Sequence, residues 1–477
     1  MRPLSLQEIA VAIGGRVYGE IRSPRVTTVS ADTRSLREGA LFFAIKGERF
    51  DGHEFVAQAL EQGATAAVIS ADSSARGLPA IRETYRDTGR LIEVNNTIDA
   101  LGRLAAWYRN QFAAQVIAVL GSNGKTTTKD LIAAVLGSRK PGRAAPASFN
   151  NAIGVPLTLL AVEPPDEFVV VEIGTNHPGE VAALARLVRP DLAVVTSIGE
   201  EHLAQFGDLE GVAAEEFSFI PFMRGRAFVA VSDQAAAFAF RNRRDGVGNN
   251  LRGCAMLTFG FDDSADLRAG DLRCDGKGQR FRVNDRFDYR LPLLGRHNTL
   301  NALAAIAIGT RFRLSHVEIA DALARARGTA MRLQRLSIGP FTVINDAYNA
   351  NPDSMRAAID AMDDLPHLGR RVLILGDMRE LGTQTDRCHR QIGEKAGRST
   401  AQVIISVGAH ARVLADGVTM TAGTTKRIYL YPSVETLTEK LPGMLQSGDI
   451  VLLKASRGVR LERVIPAIEK SVQKVMN

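Results

Sequence analysis

The stretch AVLGSNGKTTTKD, residues 118–130, carries the residue types that grip a triphosphate. A glycine turn entering a helix aims backbone N–H groups at phosphate oxygens, and the helix N-terminus adds partial positive charge. In Gly121, Ser122, Asn123, Gly124, Lys125, Thr126 and Thr127, the lysine is placed to neutralise terminal phosphates and the Thr126 hydroxyl to ligate magnesium. The loop is nevertheless shorter than the usual G-x-x-x-x-G-K-[ST] rule requires, because Val119 stands at the position of the first glycine. A solvent-facing lysine in an ordinary glycine turn is the bland alternative, and the strand and helix patterns around it argue against that.

Other polar residues fall at the ends of apolar runs. In parallel sheets ligands collect outside the carboxyl ends of strands, so Glu172 near the end of FVVVEIG and His202 near the end of LAVVTSIGEEHL share the rim of the glycine loop. A carboxylate and an imidazole there suit magnesium or groups that support it. His297, Asn298 and Asn301 in LGRHNTLNALAAIAIG stand at a helix start, where asparagine is an ordinary cap. In INDAYNANPDSM, Asn351 and Pro352 read as an N-cap followed by proline at the first helical position. Capping leaves Asp346, Tyr348 and Asn349 unexplained.

Those residues need a scaffold of parallel strands. Almost wholly apolar runs at Val116 to Leu120, Phe168 to Ile173, Leu192 to Ile198, Val372 to Leu375, Val403 to Val407 and Ile450 to Leu453 alternate with helical patterns. Such runs mark strands buried on both faces within βαβ units. The first 90 residues differ, with short β-like pieces (RVTTVSADTRS, ALFFAIKG), a helical HEFVAQALEQGA and a strand AAVIS. A second change of character falls between Gly309 and Gly328. The weak, charge-rich strands between Arg241 and Leu293 read as an antiparallel excursion from the central unit. The fold class expected is α/β with three domains: a small α/β unit over 1–90, a P-loop-type parallel-sheet unit over 91–311 and a Rossmann-like unit over 312–477.

Composition narrows the class. The 477 residues carry 45% hydrophobic and 23% charged side chains, ordinary values for a soluble globular chain. No apolar run approaches the roughly 18 residues of a membrane helix, and the amphipathic start MRPLSLQEIAVAIGG is no signal-peptide core. A cytoplasmic protein is expected. Cys254, Cys274 and Cys388 lack C-x-x-C spacing and read as structural rather than as a zinc site or disulfide framework. The net charge of +7 is spread thinly, without the basic blocks and aromatics of a nucleic-acid surface.

Taken together, GSNGKTTT, EIGTNHPGE, GRHNTLNALAA, NDAYNANPDSM, LGDMRELG and KASRG resemble the Mur ligases, ATP-dependent amide-forming enzymes of peptidoglycan synthesis. The resemblance spans nearly the whole chain. That family's phosphate loop is a T/G-x-N-G-K-T/S variant, which accounts for the short turn at Gly121. The form D-x-Y-N-A-N-P-x-S-M resembles the branch that adds D-alanyl-D-alanine to UDP-N-acetylmuramoyl-tripeptide, whereas sister ligases and folylpolyglutamate synthase differ there. The resemblance implies a UDP-sugar contact from Thr33, Arg34 and the segment from Lys46 to His53. It implies ATP and Mg2+ in the central domain, with Lys125, Glu172, His202 and Lys454 as catalytic groups and Thr126, Glu172 and His202 at metal. Asn301 would meet the base, and Arg332 and Asp346 would reach the phosphate or ribose across the domain gap. Asn150, Asn151, Tyr348, Asn349, Lys454, Ser456 and Arg457 would position substrates. Read alone, Arg332 and the basic pair of KASRG are solvated charges.

One departure stands out. Where the family commonly carries a carbamylated lysine, GDLEGVAAEEFSFI places Glu216, so that Glu216, or its neighbour Glu215, is expected to supply the metal-binding carboxylate directly. A monomer is expected, with no nucleic-acid partner. A nucleotide-dependent switch that forms no bond is the competing class, and polar strand-end residues in all three domains exceed what a switch requires.

Overall fold

The structure is a computed structural model that describes residues 1–21, 25–75, 77–225, 227–241, 254–366, 369–422 and 425–476. Three sheets follow one another along the chain. The first contains β1 (Arg16–Gly19), β2 (Thr28–Ser30), β3 (Ala40–Phe43), β4 (Ala66–Ser70) and β5 (Thr88–Val94) in the order β1-β5-β4-β3-β2. Only the β1–β5 pair is antiparallel. Strand β5 crosses residue 90, so the N-terminal sheet continues to Val94.

The central sheet has nine strands: β6 (Gln115–Leu120), β7 (Gly142–Ala144), β8 (Phe168–Glu172), β9 (Leu192–Val195), β10 (Phe228–Ser232), β11 (Ala255–Gly260), β12 (Leu267–Cys274), β13 (Gln279–Val283) and β14 (Phe287–Leu291). Their order is β14-β13-β12-β11-β10-β9-β6-β8-β7. Strands β6, β8 and β9 lie at its heart because alternate residues are apolar toward both faces. Val116, Ala118, Leu120, Val169, Val171, Ala193 and Val195 enter one core, which includes the helices Thr97–Arg109, Gly154–Leu160 and Glu180–Val188. Ile117, Val119, Val170 and Val194 enter the other, against the helices Lys125–Gly137 and His297–Arg311. Covering both faces in this way is what makes continuous apolar runs stable as parallel strands.

The region expected as an antiparallel excursion is only partly so. Strand β11 pairs parallel with β10 and with β12, extending the central sheet, and antiparallel pairing begins between β12 and β13. Residues 242–253 of that region lie outside the described residues.

The third sheet has the order β15-β16-β20-β17-β18-β19, with β15 (Gln334–Ile338), β16 (Phe341–Asn345), β17 (Arg371–Gly376), β18 (Val403–Val407), β19 (Arg427–Tyr431) and β20 (Ile450–Lys454). All its pairs are parallel except β15–β16. Val343, Ile374, Ile405 and Leu453 fill one side, and Ile344, Leu373, Ile404 and Leu452 the other. Among the described residues no helix is long and apolar enough to cross a membrane, and Cys254, Cys274 and Cys388 are free thiols.

One buried cation ties the helix Thr97–Arg109 to the central sheet. Arg109, 1% exposed, donates to the Val188 carbonyl at 2.9 Å and to Asp191 Oδ2 at 2.7 Å. The same Asp191 oxygen accepts the Val116 N–H at 2.8 Å, which fixes the first turn of β6 against its neighbours. Burial pulls the guanidinium down to about 10, against the pull of Asp191.

Candidate active site

Strand β6 lies between β9 and β8, where the order of strands reverses, and the glycine turn leaves its carboxyl end. Crevices form at such reversals. Gly121 has φ +107, and a β-carbon there would stand 2.5 Å from Thr196 Oγ1 and 2.8 Å from the Ser197 N–H nitrogen. Gly124 has φ +85, and its β-carbon would meet Asn301 Oδ1 at 2.4 Å. Only glycine fits either place. Val119, by contrast, is a buried strand residue, so the turn needs glycine at 121 and 124 and none at 119.

Lys125 opens the helix that follows. Its Nζ donates to the Gly121 carbonyl at 2.5 Å and to the Ser122 carbonyl at 3.4 Å, and stands 3.8 Å from Glu201. Burial works against its charge, but Glu201, Glu216 and Glu172 outweigh that and hold its pKa above the usual lysine value. Thr126 Oγ1 lies 3.2 Å from Ser148 Oγ and accepts from Arg332 Nη2 at 3.0 Å. Asn123 accepts a hydrogen bond from Asn351 across the gap at 2.9 Å. The central loop is therefore touched directly by the third unit.

The asparagines of the helix His297–Arg311 do not cap it. Arg296 stands at the cap position without a side-chain cap bond, and Asn298 and Asn301 are buried inside the helix. Asn301 Oδ1 accepts from Thr128 Oγ1 at 3.1 Å while its amide donates to Asn298 at 2.8 Å. The cap reading fails because neither side chain accepts one of the helix's own N–H groups: Asn301 meets Thr128 and the glycine turn, and Asn298 bridges Asn301 and the Leu294 carbonyl.

Three carboxylates, Glu172, Glu201 and Glu216, gather around that loop. Glu172, 1% exposed, accepts from Asn150 Nδ2 at 3.0 Å, and its second oxygen has no partner. Glu216 is fully buried, accepts the Gly121 N–H at 2.7 Å and also keeps one oxygen unpaired. Burial raises its pKa, opposed by Lys125 and that N–H. Burial likewise lifts Glu201 to about 8, opposed by Lys125. Glu215 serves another purpose, accepting N–H groups of Gly179 and Val181, both at 2.8 Å, at the start of the helix Glu180–Val188. His202, whose pKa burial lowers, pairs through Nδ1 with Glu380 of the third unit at 2.7 Å.

From that unit, Arg332 stacks over the Tyr348 ring at 4.2 Å. Asp346 accepts the Leu333 N–H at 3.0 Å and pairs with Lys454 at 2.6 Å, and Lys454 also donates to the Asn349 carbonyl at 3.1 Å. Ser456 Oγ donates to the Ala350 carbonyl and accepts the Arg379 N–H. Arg457 turns outward to Glu462 at 2.9 Å. Asn151 uses its side-chain oxygen locally, on the Ile153 and Gly154 N–H groups.

A single cavity of about 1140 Å³ is lined by Ser122 to Thr127, Asn150, Asn151, Glu172, His202, Asn301, Arg332, Asp346, Tyr348, Asn349, Lys454, Ser456 and Arg457. Gly121 and Glu216 stand behind this wall, and Thr33, Arg34 and Lys46 lie elsewhere. Arg34 is exposed and paired with Asp32 at 2.6 Å, Thr33 sits in the same short helical turn, and Lys46 forms a bridge with Asp51. Among the described residues no three of His, Cys, Asp and Glu stand together as a preformed metal cage. The unpaired oxygen of Glu172, which lines the cavity, nonetheless suits a hydrated magnesium ion, which takes one or two carboxylates and completes its shell with water and phosphate, whereas Glu216 keeps its unpaired oxygen behind that wall. Reasoning from sequence missed Glu200, Glu201, Asp353, Arg356 and Glu380, which all line the cavity. Glu200 and Glu201 were within reach of the strand-end rule that found their neighbour His202; Asp353, Arg356 and Glu380 become visible only when the third unit is docked.

Comparison with known proteins gives three contiguous matches to family models. Residues 25–109 match the model described as Mur ligase family, catalytic domain, residues 119–309 the Mur ligase middle domain, and residues 331–457 the Mur ligase, glutamate ligase domain. The UDP-N-acetylmuramoyl-tripeptide–D-alanyl-D-alanine ligase of Bacillus subtilis (strain 168) is 34% identical over 467 residues, covering 96% of this chain and 98% of that protein. Crystal structure I of MurF from Acinetobacter baumannii is 27% identical with a TM-score of 0.85, covering 98% of this chain and 99% of that one. The MurF ligase of Thermotoga maritima in complex with ADP is 26% identical with a TM-score of 0.76, covering 94% of this chain and 98% of that one.

Proposed function

The chain belongs to the Mur ligase family, and from that premise we propose that it joins D-alanyl-D-alanine to UDP-N-acetylmuramoyl-tripeptide at the expense of ATP. The observation that carries the reading is one cavity walled by the phosphate loop on one side and by the Asp346 to Asn351 loop of the third unit on the other. A site so divided can hold a triphosphate against an acid and admit an amine.

The chemistry follows from charge. A carboxylate does not acylate amines, so its oxygen attacks the γ-phosphorus, the bond to the bridging β–γ oxygen breaks, and ADP leaves. The dipeptide nitrogen then bonds to the acyl carbon, inorganic phosphate departs with the former carboxylate oxygen, and a proton leaves the nitrogen. Bringing two anions together requires concentrated positive charge. Lys125 supplies it from the loop and Arg332 from the opposite wall. Thr126 and Glu172 would hold magnesium, with His202 and Glu216 nearer a second ion, and such an ion would neutralise charge building on the phosphate oxygens. Asn301 would meet the base, Arg332 and Asp346 would reach the phosphate or ribose, and Lys454 would act as a catalytic group that helps position the substrates. Asn150, Asn151, Tyr348, Asn349, Ser456 and Arg457 position the peptide and the amine. Thr33, Arg34 and Lys46, on the N-terminal unit, take the UDP end. Three units, the first carried by β5 as far as Val94, divide these tasks, in a cytoplasmic monomer.

Incubation with the tripeptide precursor, D-alanyl-D-alanine, ATP and magnesium should yield UDP-N-acetylmuramoyl-pentapeptide by mass spectrometry. Phosphate release that needs neither organic substrate would instead fit a switch. Glu216 would contribute a permanent carboxylate where the family resemblance implies a carbamylated lysine. Glu216→Ala should therefore lower activity about 10–100-fold, the range for groups that support a metal site. It should also raise the magnesium concentration needed for half-maximal rate, and bicarbonate should not alter the wild-type rate. Unchanged rate and magnesium dependence in Glu216→Ala would remove this role.

A further inference from the structure

The loop Ser197 to His202 bears both Glu201, beside Lys125, and His202, and something must hold it in register. Its own unit holds the first half of it: the Ser197 carbonyl accepts the Ser122 N–H at 2.8 Å, the Ile198 N–H donates to Gln234 Oε1 at 2.9 Å, and the Gly199 N–H donates to Ser122 Oγ at 2.8 Å. From the third unit comes Asp353. Its Oδ2 accepts the Glu200 N–H at 3.0 Å, while Oδ1 takes Arg356 Nη2 at 2.6 Å. Arg356 in turn donates to Glu200 Oε2 at 3.0 Å, and Arg387 approaches the other oxygen at 3.4 Å.

An acidic residue in a first helical turn ordinarily serves its own helix. Here that work is done by Asn351, whose side chain accepts the Ser354 N–H in a capping box. Asp353 instead spends one oxygen on the backbone of another domain. The fit is tight as well: a β-carbon at Gly199 would lie 2.4 Å from Asp353 Oδ2 and 3.3 Å from Asn123 Nδ2, with nothing else that near. Gly199 has no positive φ, so its lack of a side chain serves this approach and not an unusual backbone turn.

We infer that Asp353 is a positioning residue of the ligase reaction: by holding the Glu200 amide it sets Glu201 and His202 beside the phosphate loop only when the third unit is docked. This rests on the ligase reading above. The substrate carboxylate and the γ-phosphate would meet in a site whose acidic loop is registered from across the gap, so docking of the amine-bearing unit and assembly of the phosphate site become one event.

The experiment compares wild type, Asp353→Ala, Asp353→Asn, Gly199→Ala and the Gly199→Ala/Asp353→Ala double variant in the pentapeptide assay, with thermal midpoints measured alongside. Asp353→Ala should lower kcat about 10–100-fold, the scale of a small misplacement transmitted to a reacting centre. The KM for the UDP-tripeptide should stay within about threefold, because ground-state binding is left alone. Asp353→Asn keeps an acceptor for the amide and should recover to within about fivefold of wild type. Gly199→Ala retains Asp353 but pushes its carboxylate off the amide, so it should reproduce the kcat loss, and the double variant should be no worse than Asp353→Ala. This non-additivity is what a shared contact produces. Full kcat in Asp353→Ala, or losses that multiply in the double variant, would overturn the inference. Wild type that makes no pentapeptide would instead overturn the ligase reading itself.

Discussion

Lys125→Met is expected to lower kcat/KM about 1,000-fold, the upper range for removing one preorganised charge donor from a site where charge develops. The lysine is the cation carried by the glycine turn, its Nζ is within 3.4 Å of two loop carbonyls, and three buried carboxylates keep it charged. Methionine retains the length of the stem and its packing while deleting the charge. Arginine should not rescue the loss, since its planar fork does not reproduce a compact ammonium bound to loop carbonyls. The measurement is pentapeptide formation at substrate concentrations spanning KM, paired with nucleotide affinity in the absence of the tripeptide. Turnover within about tenfold of wild type would place the phosphate charge elsewhere, with Arg332 the first candidate.

How far the sequence could foresee this site depended on whether one element or two were needed to make each contact. Runs such as VIAVL and FVVVE specify buried parallel strands by themselves, and the strands expected at 116–120, 168–173 and 192–198 are β6, β8 and β9. Lys125, Thr126, Glu172 and His202 follow from the same logic, being at strand ends on one rim. Asn298 and Asn301 were read as caps because a local rule was applied to residues whose partners, Leu294 and Thr128, include one that is distant in sequence. Asp353, Arg356 and Glu380 carry no local signal at all. Each looks like a surface charge until the segments that follow β16 and β17 are brought against the Gly199 to His202 segment, where tertiary contact overrides sequence pattern. The excursion after residue 241 was misjudged in pairing direction because short, weakly apolar strands do not encode it: β11 and β12 are parallel neighbours joined by a few residues.

The two ends of the third sheet's central strands provide the second large effect. KASRG reads as a solvated basic segment, yet Lys454 is 2% exposed at the end of β20, with Asp346 at 2.6 Å and the Asn349 carbonyl at 3.1 Å. Lys454→Met should destabilise the protein by about 3–5 kcal/mol, because removing one member of a buried pair strands the other charge. Urea titration followed by fluorescence would read this as a lower midpoint at unchanged slope. Asp346→Asn in the Lys454→Met background should return much of that stability, since no uncompensated charge then remains. Activity should not return with it: Leu333 N–H and Asn349 would be held by weaker partners, and the wall facing the phosphate loop would have lost its lysine. A double variant that regains both stability and turnover would make the pair structural alone, whereas regained stability without turnover separates the folding role of Lys454 from its place in the cavity.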